Sequence, residues 1–163
     1  MEKCINENFS QFQFETQASL GIGMSFTAKE FLAAQKIRSY AMRQIETLFR
    51  EEVDVIVSPA TSSIAPKIQK DALAFGESDP EQTARLMNYI IHGNITGIPA
   101  IVFPCGYDDD KGLPISLQVQ APHWREDLLF RIAKVSESLL PNGWLKPPTY
   151  VDILGDTLDT NKA

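Results

Sequence analysis

Asn94-Ile-Thr-Gly-Ile-Pro-Ala-Ile-Val-Phe-Pro-Cys-Gly106 and, beyond a short acidic stretch, Gly112-Leu-Pro-Ile-Ser-Leu-Gln118 decide how this chain folds. Gly97 and Pro99 punctuate the entry to an apolar strand near residues 100–104, and Pro104 with Gly106 close it. Asp108-Asp-Asp-Lys-Gly112 supplies the turn: short polar side chains hydrogen-bond their own backbone, and glycine accepts positive φ. A second strand follows near 114–120. The pattern predicts a buried hairpin joined at its start to the end of a helix.

That helix is expected near residues 80–92. Asp79 caps it, Pro80 takes the first helical position, Glu81 favours the positive dipole end, and Gly93 is the expected stop. Upstream, Val53, Val55, Ile56 and Val57 predict a strand near 53–58 that Pro59 ends, followed by a loop rich in Ser, Thr and Pro. Thr27 with Glu30 forms a capping-box signature for a helix near 28–51. Ala34, Ile37, Ala41, Ile45 and Leu48 lie on one stripe of it, over a length of roughly 35 Å.

Residues 1–24 are polar, carry Phe9, Phe12 and Phe14 without a period, and are expected to be poorly ordered or dependent on a partner. A last helix near 125–139 places Leu128, Leu129, Ile132, Val135, Ser136 and Leu139 inward. Trp144, Pro147, Pro148 and Tyr150 suit a strap over the body, with 155–163 a frayed tail. The order helix, strand, helix, hairpin, helix predicts one α/β domain over 1–163, with a mixed β-sheet covered by helices.

Composition narrows the function. With 44% hydrophobic and 22% charged residues among 163, the chain is neither disordered nor fibrous, and can bury roughly 70% of its unfolded surface. A net charge of -6 leaves no basic surplus for nucleic acid or an anionic membrane. Lys29, Lys36, Arg38, Arg43 and Arg50 share a helix with Glu30, Glu46, Glu51 and Glu52, which reads as a solvated face. Cys4 and Cys105 cannot make a disulfide framework, so a reducing cytosol is the expected setting, and Cys105 reads as a small apolar thiol at a strand end. Met1–Gln13 lacks the apolar core of a signal peptide, and Ile98–Phe103, the longest apolar run, is too short to span a bilayer. No metal or cofactor is expected. The three aspartates lack EF-hand spacing, and His92 and His123 read as helix-end and loop residues.

Val53-Asp-Val-Ile-Val-Ser-Pro-Ala-Thr61, Asn94-Ile-Thr-Gly-Ile-Pro-Ala100 and Gly112-Leu-Pro-Ile-Ser-Leu-Gln118, in that order, resemble the C-terminal part of the amidase signature family. The resemblance runs from about Ser25 to Leu140. Phe26-Thr-Ala-Lys-Glu-Phe-Leu-Ala-Ala-Gln35, Ala65-Pro66 and Tyr150-Val-Asp-Ile-Leu154 look most like the plant-type fatty acid amide hydrolases. In that family a serine is activated through a second serine and a lysine inside a glycine- and serine-rich segment. A serine hydroxyl needs a base to take its proton, and backbone N–H groups must stabilise the oxyanion.

No such segment is legible here, and no catalytic residue is assigned. Ser62-Ser63 is flanked by Thr61 and Ile64 with no glycine near; Lys67 and Lys70 lie in a Pro-broken loop; no Gly-x-Ser-x-Gly elbow occurs. The resemblance implies a contribution of shape: Thr61, Asn94 and Thr96 as polar wall residues of a substrate cleft, with Ile64, Ile95 and Ile98 against an acyl chain. Asn94 and Thr96 serve equally well to satisfy backbone groups around Gly97. The implied function is the C-terminal part of a hydrolase for fatty acid amides such as N-acylethanolamines, inactive alone. Its substrate, a fatty acid amide or other small amide, is met when the chain is joined to an N-terminal part. Cytoplasmic placement, with membrane association as part of a longer protein, goes with it. The rival is a non-catalytic lipid- or partner-binding module of amidase-derived fold, self-associating through exposed strand edges. A third reading is another amidase branch, such as a transamidosome-type subunit.

Overall fold

The computed structural model describes residues 5, 7–76, 79–140, 145 and 149–151. A 3₁₀ turn (Phe9–Gln11) precedes helices α1 (Phe14–Ser25) and α2 (Ala28–Glu51) and strand β1 (Ile56–Pro59). Short helices α3 (Ala72–Phe75), α4 (Pro80–Leu86) and α5 (Ile91–Thr96) lead to strands β2 (Ala100–Tyr107) and β3 (Pro114–Gln120), and helix α6 (Glu126–Leu139) follows.

α2 begins where its cap says it should. The Thr27 hydroxyl accepts from the Glu30 N–H at 3.2 Å, and the Glu30 carboxylate accepts from the Thr27 N–H at 2.8 Å. Two orphan donors of the first turn are satisfied together. The Thr27 backbone bond, then its hydroxyl, holds the Glu30 carboxyl below its ordinary value of 4.5. A depressed folded pKa means this contribution is complete above about 4.5 and is lost as pH falls through the lower folded value. Thr27→Ala should cost about 1 kcal/mol, read as a fall in thermal midpoint by circular dichroism. The variant should also lose part of the acid sensitivity of α2, and an unchanged acid limb would refute the coupling.

Only the second half of α2 is covered. Ala41, Ile45 and Leu48 are half-buried, whereas Ala34 is exposed and Ile37 is 66% exposed. The helix is tied to α5 by the Arg38 guanidinium, whose Nε donates to the Ile95 carbonyl at 2.8 Å. The apolar stripe read from the sequence is thus packed over its second half and exposed at Ala34 and Ile37.

The three strands lie in the order β1-β3-β2. Every described pairing is antiparallel, so the expected mixed sheet is here a small antiparallel one. β1 starts at Ile56 rather than 53 and runs through Pro59, which pairs with Leu117. Proline is tolerated there because β1 is an outer strand, and the Ala60 N–H continues the ladder to the Ser116 carbonyl at 2.9 Å. β2 likewise passes Pro104 and reaches Tyr107, because a bulge between Pro104 and Gly106 absorbs Cys105 as an extra residue. At the turn, the Lys111 N–H donates to the Asp108 carboxylate at 2.9 Å, and Gly112 takes φ 63°.

Alternation along β3 gives the sheet two unlike faces. Val119, with Phe103, Ala121 and Leu129, forms the apolar core, against which Val55, Ile101, Leu117 and Ile132 pack; α6 lies across β2 on this side. Gln118 and Gln120 alternate with them and are also buried. On the opposite face α5 meets Gln120, and Gln118 reaches the turn before α5.

The helix expected near 80–92 is two helices, broken by a turn over 87–90. The break leaves the Tyr89 carbonyl free to accept from Gln118 Nε2 at 3.0 Å. α5 continues past the expected stop: Gly93 lies inside it, and Gly97 at φ 75° is the left-handed cap. Gly93 is needed for a different reason. A side-chain carbon there would lie 2.9 Å from Gln120 Nε2.

α1 is a helix where no period was apparent, and none of its residues is buried. On α6 only Leu129 is fully buried, with Ile132 and Ala133 partly so; Val135, expected inside, is 59% exposed. Leu139, also expected inside, is exposed in the last turn. Between β3 and α6, Trp124 stands at φ 64°, the one non-glycine with positive φ among the described residues. That backbone costs a side-chain-bearing residue about 1–2 kcal/mol. Of the expected strap, the Leu145 N–H donates to the Tyr107 hydroxyl at 3.0 Å. Trp144, Pro147, Pro148 and the 155–163 tail lie outside the described residues.

Candidate functional site

The loop after β1 and helix α4 enclose a cleft of about 370 Å³, lined by Ser62, Ser63, Pro66, Asp79, Gln82 and Arg85. The loop holds itself open through its own hydroxyls. Thr61 Oγ1 donates to the Ser63 carbonyl at 2.7 Å, and Ser62 Oγ reaches across to the Arg85 carbonyl at 2.7 Å. Asp79 caps α4 by accepting from the Gln82 N–H at 3.0 Å. At the rim, Arg85 pairs with Glu81 at 2.6 Å one turn away, an exposed pair of little energetic weight.

The residues singled out from the sequence divide into two groups. Thr61 and Asn94 are exposed, as is Ile95, and Ile64 is half-buried. Thr96, 1% exposed, and Ile98 are buried. The Thr96 hydroxyl donates to the His92 carbonyl at 2.6 Å, and its own carbonyl meets His123 Nε2 at 3.1 Å. Thr96 is thus fully engaged inside the protein. None of these residues lines the cleft, whose polar groups come instead from their neighbours Ser62 and Ser63.

What the cleft offers is hydrogen bonding. Ser62 spends its proton on a backbone carbonyl, and Lys67 and Lys70 stand exposed in the same loop. Desolvation is what turns a lysine into a base, and neither is desolvated. Among the described residues no lysine hydrogen-bonds a hydroxyl, and no group of three His, Cys, Asp or Glu side chains is placed to hold a metal ion.

The buried polar layer behind α5 escaped the sequence reading. His92 Nε2 hydrogen-bonds Gln120 Oε1, Gln118 Nε2 donates to Tyr89 and, at 3.4 Å, to Ser58 Oγ, and His123 fastens the β3–α6 connection to α5. No buried side-chain nitrogen or oxygen among the described residues lacks a partner. His92, read as a helix-end residue, stands in the first turn of α5, and His123, read as a loop residue, in the β3–α6 connection; both make hydrogen bonds that join elements. The available signal was Gln118-x-Gln120 alternating with the apolar Leu117 and Val119 in one strand. Cys105, expected to be tucked at a strand end, is exposed, because the bulge turns it out of the ladder; its thiol donates to the Ile115 carbonyl at 3.4 Å. At the start of α6, Arg125 and Asp127 form an exposed pair whose hydrogen bond raises the pKa of one and lowers that of the other. No helix among the described residues is long and apolar enough to cross a membrane.

Comparison with known proteins agrees with this geometry. The family model described as Amidase matches residues 4–130. The chain is 41% identical over 145 residues to the fatty acid amide hydrolase of Medicago truncatula, an overlap of 89% of this chain and 24% of that protein. It is 42% identical over 100 residues to a glutamyl-tRNA(Gln) amidotransferase chain of Akkermansia muciniphila, covering 60% of this chain and 20% of that one. Among solved structures, 6-aminohexanoate cyclic dimer hydrolase complexed with substrate superposes with a TM-score of 0.59 at 30% identity, over 72% of this chain and 26% of that one. The chain spans about a quarter of the length of the relatives it matches. With the family pattern running through most of its length, the chain belongs to the amidase family.

Proposed function

We propose that this chain is the C-terminal part of an amide hydrolase of the fatty acid amide type, acting on N-acylethanolamines or similar lipid amides. The observation that carries the reading is a disproportion. Identity of 41% extends over 89% of this chain, yet that stretch is 24% of the Medicago truncatula hydrolase. The chain's share of the work is structural: an antiparallel sheet, its covering helices and one wall of the acyl pocket. Thr61, Ile64 and Asn94, which stand outside the cleft between the β1 loop and α4, are the residues assigned to that wall, with the buried Thr96 and Ile98 behind them. The amide substrate is met only in company with the remaining amidase polypeptide. The setting is cytoplasmic, with membrane association as part of a longer protein.

Alone, the chain is catalytically silent, since Ser62 and Ser63 have no buried base among the described residues. Fluorophosphonate labelling of the purified chain tests this: no serine should be labelled above a heat-denatured control. Specific labelling of Ser62 or Ser63 defeats the reading. One observation favours a second reading, a non-catalytic lipid- or partner-binding module that self-associates. β1 and β2 are the outer strands of the sheet, and their outer edges are unpaired among the described residues. A stable dimer at micromolar concentration, holding lipid through purification, would favour that module.

A further inference from the structure

We propose that Trp124 is the anchor by which the rest of the amidase polypeptide, carried by the relatives and outside this chain, docks on the β3–α6 connection. The inference rests on the function proposed above. Trp124 combines two unfavourable features: a left-handed backbone at φ 64° and an indole 89% exposed to water. Glycine or asparagine would take that backbone more readily. Nothing within the described chain compensates for either feature.

The residues on either side of Trp124 are hydrogen-bonded within the chain. His123 Nε2 is fastened to the Thr96 carbonyl at 3.1 Å on one side. On the other, the Arg125 guanidinium grips both Asp127 oxygens at 2.9 and 3.2 Å. A connection braced by its neighbours has less backbone freedom to lose on binding. Beside it, Ile45, Phe49, Pro122 and His123 line a cleft of about 350 Å³ against α2, with Glu46 and Arg50 at its edge. An exposed tryptophan beside an apolar hollow with a charged rim is the composition of an interface centre. The docking surface must bring an apolar pocket with one acceptor for the indole N–H.

The occupant follows from proportion and charge. The Medicago truncatula relative has 76% of its length beyond the region matched here, the complement of the 24% covered. Two copies of a chain with net charge -6 repel, and an anionic bilayer repels it too.

Trp124→Asn tests the anchor, because asparagine adopts the left-handed region readily. The thermal midpoint of the chain alone should stay level or rise. The complementary part of the Medicago truncatula hydrolase, produced in the same cells as this 163-residue chain, should bind the variant roughly thirtyfold more weakly than the wild type. Trp144→Phe leaves Trp124 as the single tryptophan, since the chain has 2. Its emission should be that of a hydrated indole in the chain alone and shift to the blue in the complex. Equal binding by wild type and Trp124→Asn overturns the anchor and leaves the proposed function standing. Absence of any binding by the wild type overturns both. A fall in the midpoint of the isolated variant, or a blue shift with rising chain concentration or with phosphatidylcholine vesicles, also overturns the anchor.

Discussion

Phe103→Ala should lower the stability of this chain by about 3–5 kcal/mol. Phe103 is buried in β2 beside Val119, Ala121 and Leu129, the one cluster of buried apolar side chains among the described residues. The partly buried Val55, Ile101, Leu117, Ile132 and Ala133 packed against the cluster set how far the cavity can collapse, and so where in this range the cost falls. A small domain has only about 5–15 kcal/mol in total. The variant should therefore unfold at a much lower urea midpoint, or fail to fold. Phe130→Ala, on the exposed side of α6, should shift the midpoint by less than about 0.5 kcal/mol. If the two variants melt alike, the centre of stability is elsewhere.

Gln120→Leu is the second large effect. Gln120 is 1% exposed, and its carbonyl oxygen meets His92 Nε2. Replacing it removes one half of a buried pair and strands the other, which costs about 1–3 kcal/mol. His92→Leu alone should cost a similar amount, because the amide then loses its partner. The double variant should be closer to wild type than the sum of the singles, since two apolar groups leave nothing unsatisfied. A double-mutant cycle by urea denaturation measures this. Strictly additive losses would mean that the hydrogen bond carries no coupling, and that Gln120 matters only by the space it fills.

These two variants also show what was readable from the chain. The hairpin was, because Gly97, Pro99 and Gly112 mark backbone requirements that no tertiary context changes, and two of them take positive φ as turn chemistry demands. The starts of α2 and α4 were, because Thr27 and Asp79 make their caps within three residues. Gly93 misled because local reasoning treats glycine as a stop. Its actual role is to admit Gln120 from a strand more than twenty residues away. Pro59 and Pro104 misled in the same way: both stand in strands on the outside of the sheet, and sequence pattern does not say which strand is outermost. Val135 and Ile37 belong to apolar stripes that the pattern identified and that the described neighbours do not cover. For the candidate site, Thr61 and Ile64 stand in the loop after β1 and Asn94 inside α5, and none of the three lines the cleft. The Gln118, Gln120 and His92 network was missed because it exists only once α5 lies on β3.

The two unlike sides of the sheet should drift at different speeds. On the Phe103 side, interchange among hydrocarbons of like volume is mild, so many neighbouring genotypes remain viable. On the Gln118 and Gln120 side, each group has a specified counterpart in α5 or the turn before it, and a single exchange is penalised until its counterpart changes too. Lineages descended from this chain should therefore wander through one lobe of genotype space one step at a time, and cross the other only by paired jumps.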